Sequence, residues 1–178
     1  MLEVLSNEEI MREYSLKDII RYNTRSKIKE ETVADHTCFV SILSLKILAQ
    51  LGITDNKIIK DTLVLSVLHD IPESCTSDVP YDVKQKSPEL RKLLERLEDE
   101  YYDLYWGNFK DALEAKDGLP GLIVKLADVY SVFQFCYSEI SLGNSNEDMK
   151  EIFITSKRRI RDMIEKINAY LEEHNGCK

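Results

Sequence analysis

The chain has 178 residues, of which 43% are hydrophobic and 31% are charged, and its formal net charge is −8. This length and composition predict one globular domain over residues 1–178, and the negative charge argues against binding to a nucleic acid polymer. The first ten residues do not have the pattern of a secretory leader, and no uninterrupted apolar run approaches the ~18 residues of a membrane-spanning helix, so we expect no membrane association. Its four cysteines form no CxxC pair, which is typical of reduced thiols in a cytoplasm.

The first half of the chain predicts two helices with a basic loop between them. A capping box, Ser6 to Glu9, opens a helix that we expect to end near Arg21. The segment "YNTRSKIKE" follows, which lacks apolar periodicity and carries three basic residues, so it reads as a loop. A second capping box, Thr32 to Asp35, opens a helix that ends at Gly52.

The middle of the chain predicts a helix, a loop and a second helix. Asp55 caps a helix that runs to His69 or Asp70, because Pro72 disfavours its continuation. Residues 74–87 are rich in turn formers and predict a loop with at most one short turn. Ser87 followed by proline then opens a charged helix that ends near residue 106.

The last third of the chain predicts a central helix and a long amphipathic one. Residues 119–142 are apolar almost all round, which is typical of a helix at the centre of a bundle. A capping box at Ser145 opens the C-terminal helix, over about 146–174. No segment alternates with period two, so the fold class is all-α, with about six to seven helices.

Three of these helices carry polar side chains where the pattern predicts burial. His36 shares an apolar face of its helix, His69 and Asp70 end the next helix, and Asp128 lies inside the most hydrophobic one. A buried polar or charged group costs free energy unless it is paired. Each histidine alone could be a satisfied core residue, and Asp128 could pair with Lys125 one turn earlier.

A single metal ion accounts for all four groups together. Two neutral imidazoles and two carboxylates on three core helices form a mixed nitrogen and oxygen donor set. Such a set suits a divalent cation that keeps coordination positions open for water and substrate.

The order H…HD…D resembles the HD-domain metal-dependent phosphohydrolases. The likeness is greatest to the small bacterial, archaeal and phage branch that contains the 5′-deoxynucleotidases. It is carried, in order, by "RYNTRSKIKEETVADH", "VLSVLHDIPESCTSDVPYDVK" and "LIVKLADVYSVFQFCYSEISLGN", which span residues 21–143. The resemblance implies an HD-domain helical bundle.

The resemblance also implies roles for individual residues. It implies one divalent metal ion, which is Mn²⁺, Co²⁺ or Zn²⁺, or failing these Mg²⁺. It also implies that Glu73 and Asp78 are acidic catalytic residues and that Arg21, a third catalytic residue, holds the 5′-phosphate. Tyr22 stands where the bacterial deoxynucleotidases carry Trp near the sugar, so exclusion of a ribose 2′-OH is expected to be weaker here. The implied metal ligands are His36, His69, Asp70 and Asp128, and the implied substrate contacts are Arg21, Tyr22, His36, Asp78, Val79, Pro80, Tyr81 and Lys84.

The function implied is release of phosphate from 2′-deoxynucleoside 5′-monophosphates. One alternative is a triphosphohydrolase that removes triphosphate whole from a deoxynucleoside triphosphate such as dATP. Another is a non-catalytic protein that binds nucleotides with the same helical fold. The family also implies a homo-oligomer, a dimer or larger, working in the cytoplasm, or in the host cytoplasm if a phage encodes the chain.

Overall fold

The computed structural model describes residues 5–175 of the chain. Within this range, six helices have eight or more residues, three α-helices are shorter, and an isolated bridge between Ile20 and Thr32 is the one β-type pairing. The prediction of an all-α fold with six to seven main helices is therefore confirmed. In chain order the helices are α1 (Asn7–Tyr14), α2 (Val33–Gln50), α3 (Asn56–Leu68), α4 (Glu73–Thr76), α5 (Tyr81–Lys86), α6 (Pro88–Tyr105), α7 (Lys110–Glu114), α8 (Leu119–Ser141) and α9 (Glu147–Asn175).

Three predicted helix starts are confirmed by their capping hydrogen bonds. The Thr32 hydroxyl accepts from the backbone N–H of Asp35 at 3.0 Å, and the Asp35 carboxylate accepts from the N–H of Thr32 at 3.1 Å. The Asp55 carboxylate accepts from two N–H groups in the first turn of α3. The Ser87 hydroxyl caps α6 in the same way. These bonds satisfy N–H groups that have no partner within the helix.

The first helix is shorter than predicted. α1 ends at Tyr14 rather than near Arg21, and one turn of 3₁₀-helix over Ser15–Lys17 follows it. The reason is a competing backbone pairing, because the carbonyl of Ile19 accepts from the N–H of Val33 at 2.9 Å. The end of this segment is therefore extended against the start of α2.

The predicted loop over residues 74–87 is wrong, because two short helices lie there. α4 begins after Pro72 and α5 after Pro80, whose φ angles of −58° and −54° are close to helical values. Each has at most two turns, too few for an apolar period to show in the sequence. α9 also starts one residue later than predicted, since Asn146 rather than Ser145 caps it. The Glu9 side chain, part of the first predicted capping box, lies outside the described residues.

α8 is the central helix, as predicted, and the other long helices pack around it. α2, α3 and α9 all contact it, and Ile123 and Ala127 on α8 have no exposed surface. The amphipathic α9 places Ile160 and Ile167 in the core that it shares with α8. By length and hydropathy alone α8 is a candidate membrane span, but 61% of its apolar window is buried inside the structure. Such burial is typical of the core helix of a helical bundle.

Candidate active site

Four polar side chains from three parts of the chain converge in the core. His36 lies on α2, His69 and Asp70 directly follow α3, and Asp128 lies on α8. One ligand atom from each of His36, His69 and Asp128 lies within 4.8 Å of the others. The Asp70 carboxylate lies 3.3 Å from His36 Nε2 and 3.2 Å from His69 Nε2. The structure therefore brings together the four residues that the sequence singled out.

Both imidazoles are oriented by a contact at their second ring nitrogen. His69 Nδ1–H donates to the backbone carbonyl of Ser66 at 2.8 Å, so its Nε2 keeps a lone pair. His36 Nδ1 lies 3.0 Å from the hydroxyl of Ser131 on α8. A hydroxyl can accept as well as donate, so Ser131 permits the same tautomer for His36. Both Nε2 atoms point to the shared centre, where they lie 3.3 Å apart.

The charges of the cluster favour a cation at its centre. Burial lowers the pKa of His36, but its hydrogen bonds with Asp128 and Asp70 outweigh burial and raise the pKa to about 9. Burial raises the pKa of Asp70 and of Asp128, yet the neighbouring histidines hold both pKa values below the ordinary one. In the part of the chain that the structure describes, Asp128 forms no ion pair with Lys125. The two carboxylates favour a positive charge on a buried imidazole, and the Nε2 atoms of both histidines point to the same centre. Together they form a donor set that fits a divalent metal ion.

Arg21 lies next to this cluster and contacts one of its members. Its guanidinium Nη1 lies 3.4 Å from Asp70, and its Nε lies 3.3 Å from Glu31. The Arg21 side chain is 11% exposed, and no described residue makes a well-aligned hydrogen bond to its Nε. We call His36, His69, Asp70 and Asp128 together the metal-type cluster. A buried guanidinium that has unused hydrogen-bond donors and lies beside this cluster is suited to binding a phosphate group.

The loop that carries Arg21 is held at both ends. At its base the Arg21 N–H donates to the carbonyl of Glu31 at 2.9 Å. At its far end the N–H groups of Ile28 and Lys29 donate to the carboxylate of Glu139 on α8, at 2.7 and 2.8 Å. Glu139 has no exposed surface and also accepts from Asn144 at 2.7 Å. Burial would raise its pKa, but these hydrogen bonds lower it.

Sequence reasoning missed this clamp. The one sign of the clamp in the sequence is the carboxylate of Glu139, near the end of the most apolar helix. The apolar pattern of that helix does not show whether Glu139 is buried or exposed. The N–H groups that it binds leave no trace in the sequence at all.

Tyr22 adopts a strained backbone conformation in the same loop. Its φ is +54°, which a non-glycine residue adopts rarely and at a cost. Its ring stacks on Phe135 of α8 with centroids 4.6 Å apart and planes 1° from parallel. Its buried hydroxyl makes no hydrogen bond with any described residue. Tyr22, which is the aromatic residue expected to face the sugar, is thus held against the core by its stacking on Phe135.

A cavity of about 640 Å³ opens onto the cluster. Asp70 and Asp128 lie in its wall together with a large part of the predicted substrate contacts. His36 is fully buried and is not among the described lining residues, and the side chain of Tyr81 lies outside the described residues. The predicted site residues that line the cavity are Arg21, Tyr22, Asp70, Glu73, Asp78, Val79, Pro80, Lys84 and Asp128.

Glu73 is an acidic residue of the cavity wall whose protonation is altered by burial. Its carboxylate lies 3.9 Å from Lys84 Nζ, and one of its oxygens is buried without a hydrogen-bond partner among the described residues. Burial, followed by the charges of Asp70 and Asp78, raises its pKa to about 9. Glu73 therefore differs from Asp70 and Asp128, whose pKa values are lowered.

One face of α9 forms a wall of the cavity that sequence reasoning did not assign. Asp148 and Arg25 line the cavity and form an ion pair of 2.6 Å between α9 and the basic loop. The amphipathic pattern of α9 predicts a face toward the core but does not separate core contacts from cavity contacts. The α9 residues in the cavity wall are Asp148, Glu151, Ile152, Thr155, Ser156 and Arg159.

Comparison with known proteins identifies the family that the chain matches. The model of the YfbR-like 5′-deoxynucleotidase family matches residues 11–174. A 5′-deoxynucleotidase of Vibrio cholerae is 26% identical over 166 residues, which cover 81% of this chain and 81% of that protein.

Two solved structures share the fold. An HD-domain phosphohydrolase from Listeria innocua is 21% identical, with a TM-score of 0.73, over 94% of this chain and 85% of its own. The HD phosphohydrolase of cyanophage S-2L, solved with dA and one catalytic Zn²⁺ ion, is 15% identical, with a TM-score of 0.62, over 90% of this chain and 99% of its own. At these identities the likeness to the two structures shows the fold alone.

Proposed function

The chain belongs to the YfbR-like 5′-deoxynucleotidase family, and from this premise we propose that it releases phosphate from 2′-deoxynucleoside 5′-monophosphates with the help of one divalent metal ion. The family and the 5′-deoxynucleotidase relative from Vibrio cholerae indicate a hydrolase. The observation that carries the proposal is the convergence of two imidazoles and two carboxylates at a cavity that also contains a buried arginine.

The metal would be held by His36, His69, Asp70 and Asp128. The donor chemistry fits Mn²⁺, Co²⁺ or Zn²⁺ through the imidazoles, and Mg²⁺ less well. When bound, such an ion supplies an activated water nucleophile and neutralises charge on phosphoryl oxygens. The contacts of the histidines with Ser131 and with the carbonyl of Ser66 keep their Nε2 atoms available to it.

The remaining roles fall to residues of the cavity wall. Arg21 would bind the 5′-phosphate through its guanidinium and stabilise charge on the phosphoryl oxygens during transfer to water. The bond between phosphorus and O5′ breaks, and the departing oxygen needs one proton. Glu73 and Asp78 both line the cavity, so either can orient the water or supply this proton. Val79, Pro80, Tyr81 and Lys84 would contact the nucleotide.

The charge of the cavity favours a monophosphate over a triphosphate. Among the described lining residues, six are carboxylates and five are basic. Two of the basic residues, Arg25 and Lys84, already lie beside Asp148 and Glu73. A triphosphate carries more negative charge than a monophosphate, and the described lining offers no excess of basic residues to match it. The triphosphohydrolase is therefore the second candidate.

The aromatic residue at the sugar decides how strictly ribose is excluded. The ring of Tyr22 is fixed against Phe135 and is smaller than the Trp expected in the bacterial enzymes. We propose a preference for 2′-deoxynucleotides that is weaker than a Trp would give. We also propose that the enzyme is a cytoplasmic homo-oligomer, as its family resemblance implies.

The test is a panel of ribo- and deoxynucleotides, as monophosphates and triphosphates, assayed with Mn²⁺, Co²⁺, Zn²⁺ and Mg²⁺. The proposal expects inorganic phosphate from dAMP and from the other deoxynucleoside monophosphates, and none from the His69→Ala variant. Intact tripolyphosphate and deoxyadenosine from dATP, without hydrolysis of dAMP, would establish the triphosphohydrolase instead. If no nucleotide is hydrolysed with any of the metals, the hydrolase proposal is wrong.

A further inference from the structure

The cavity is larger than the reaction centre requires, and its extension lies along α9. Arg21, Asp70 and Asp128 occupy one part of its wall. From Asp128 the wall continues one turn along α8 to Val132 and then passes to α9. A phosphate held at the cluster would leave this second part of the roughly 640 Å³ for the rest of the ligand.

A regular helix face forms this second part. Thr155 and Ser156 lie three and four residues after Ile152, and Arg159 lies three residues after Ser156, which places the four on one side of α9. Ile160, four residues after Ser156, anchors the flank of this face in the core that α9 shares with α8. The cavity-facing side is therefore positioned by a rigid and long element rather than by a loop.

The face combines apolar and hydroxyl groups in the way that a nucleobase requires. Ile152 on α9 and Val132 on α8 offer apolar surface on one side, and the Val79–Pro80 segment offers it elsewhere in the wall. Ser156 is 2% exposed, and its hydroxyl makes no hydrogen bond with any residue that the structure describes. A nearly buried hydroxyl without a partner in a cavity wall is a group that a ligand can satisfy.

A chain of further phosphates fits this face less well than a base does. Glu151 and Asp148 bring two negative charges to the α9 wall against the one positive charge of Arg159, and Arg25 is paired with Asp148 at 2.6 Å. Apolar surface beside single hydroxyls binds flat heteroaromatic rings with polar edges. Because a hydroxyl can donate or accept, the same contact serves several bases.

We propose that this face of α9, through Ile152, Thr155 and Ser156, is the nucleobase subsite of the enzyme. The inference rests on the proposed function, since it assumes that the phosphate lies at Arg21 and the metal cluster. It assigns substrate recognition to a helix outside the segment that carries the HD motif, and it predicts a broad rather than a strict preference among bases.

The experiment compares a substrate that has a base with one that lacks it. Phosphate release is measured from dAMP and from 1,2-dideoxyribose 5-phosphate, which keeps the sugar and phosphate but carries hydrogen at C1′. Ile152→Ala and Ser156→Ala should each lower kcat/KM for dAMP by about tenfold, and should leave kcat/KM for the baseless substrate unchanged. Ile154→Ala is the matched control, because Ile154 is 66% exposed on the same helix, and it should alter neither value.

A binding measurement keeps this test separate from catalysis. 2′-Deoxyadenosine, which has no phosphate to release, is titrated into the wild-type protein and the three variants. Weaker binding by Ile152→Ala and Ser156→Ala, but not by Ile154→Ala, supports the subsite even if no phosphate ester is hydrolysed. Equal losses for both phosphorylated substrates, or nucleoside binding that is absent or unaffected by the α9 variants, would overturn the inference while leaving phosphate release from dAMP intact.

Discussion

The metal-type cluster and the loop that carries Arg21 are neighbours, yet they are positioned by different means. His36 and Asp128 lie inside helices that pack on each other, and His69 and Asp70 directly follow a third. The loop has no regular structure of its own beyond one bridge and is fixed by a small number of separate contacts. These are backbone N–H bonds to Glu31 and Glu139, the stacking of Tyr22 on Phe135, and the ion pair of Arg25 with Asp148.

This difference has a consequence for how each region responds to change. Many packing contacts between helices position the cluster. Substituting one of its four residues should therefore abolish metal binding and activity without unfolding the protein. The position of the loop depends on few contacts, so a single distant substitution should move it. Substitutions in the two regions should therefore have distinguishable effects.

The largest effect is expected from removing a residue of the cluster. His69→Ala should reduce phosphate release from dAMP to the level measured without enzyme and should abolish the rise in melting temperature caused by Mn²⁺. Its far-ultraviolet circular dichroism should match the wild type. His174→Ala, in an exposed part of α9, is the control and should retain full activity. Activity in His69→Ala above the blank would contradict the assignment.

Arg21→Lys tests whether the loop supplies phosphate binding independently of the cluster. Lysine keeps the charge but loses the planar fork, so we expect kcat/KM for dAMP to fall by about 10²-fold. The affinity for Mn²⁺, measured by titration calorimetry, should change little. A parallel loss of metal binding would mean that Arg21 acts mainly on the cluster, through its 3.4 Å contact with Asp70. Arg91→Lys, on an exposed ion pair of α6, is the matched control.

Ser131→Ala tests how His36 is oriented within the cluster. Without the hydroxyl 3.0 Å from Nδ1, His36 is less firmly held in the tautomer that a metal needs, and we expect metal affinity to fall by about 10- to 100-fold. At saturating metal kcat should approach the wild-type value.

Ser66→Ala is a matched control for that variant. Ser66 is also buried, but its backbone carbonyl rather than its hydroxyl contacts His69. Metal affinity should therefore be unchanged in Ser66→Ala. Equal metal affinities in the two variants would show that the Ser131 hydroxyl has no orienting role.

Glu139→Gln is expected to have the smallest effect on the reaction and a measurable one on stability. One amide oxygen replaces two carboxylate oxygens that accept from Ile28 and Lys29, so the free energy of unfolding at neutral pH should fall by about 1–3 kcal/mol. The KM for dAMP should rise more than kcat changes, because the loop carries Arg21. Glu165→Gln, at an exposed position of α9, should leave both unchanged.

The same variant makes a prediction about pH. The pKa of Glu139 in the folded protein lies below its ordinary value of 4.5. The stabilisation is therefore fully present above that value and is lost as the pH falls through the lower pKa of the folded state. The difference in unfolding free energy between wild type and Glu139→Gln should shrink over that acidic range. A difference that stays constant with pH would show that the charge of Glu139 contributes nothing.

The sequence predicts the helical scaffold and the cluster for one physical reason. Apolar periodicity and capping residues such as Thr32 and Asp55 are local signals, and a polar group inside an apolar face is visible against them. α4, α5 and the bridge at Ile20 depend on proline geometry and on pairing between distant segments, which periodicity does not report. The Glu139 clamp and the α9 wall were missed because a long-range contact to a backbone N–H, or to a cavity, has no sequence period.

The central claim is that His36, His69, Asp70 and Asp128 bind one divalent ion. The most direct measurement is an anomalous-difference map from crystals of the protein grown with Mn²⁺, recorded near the manganese edge. The account predicts one strong peak per chain, between the two Nε2 atoms and the two carboxylates, at distances typical of metal coordination. A map with no peak there, or with its strongest peak elsewhere in the chain, would contradict it.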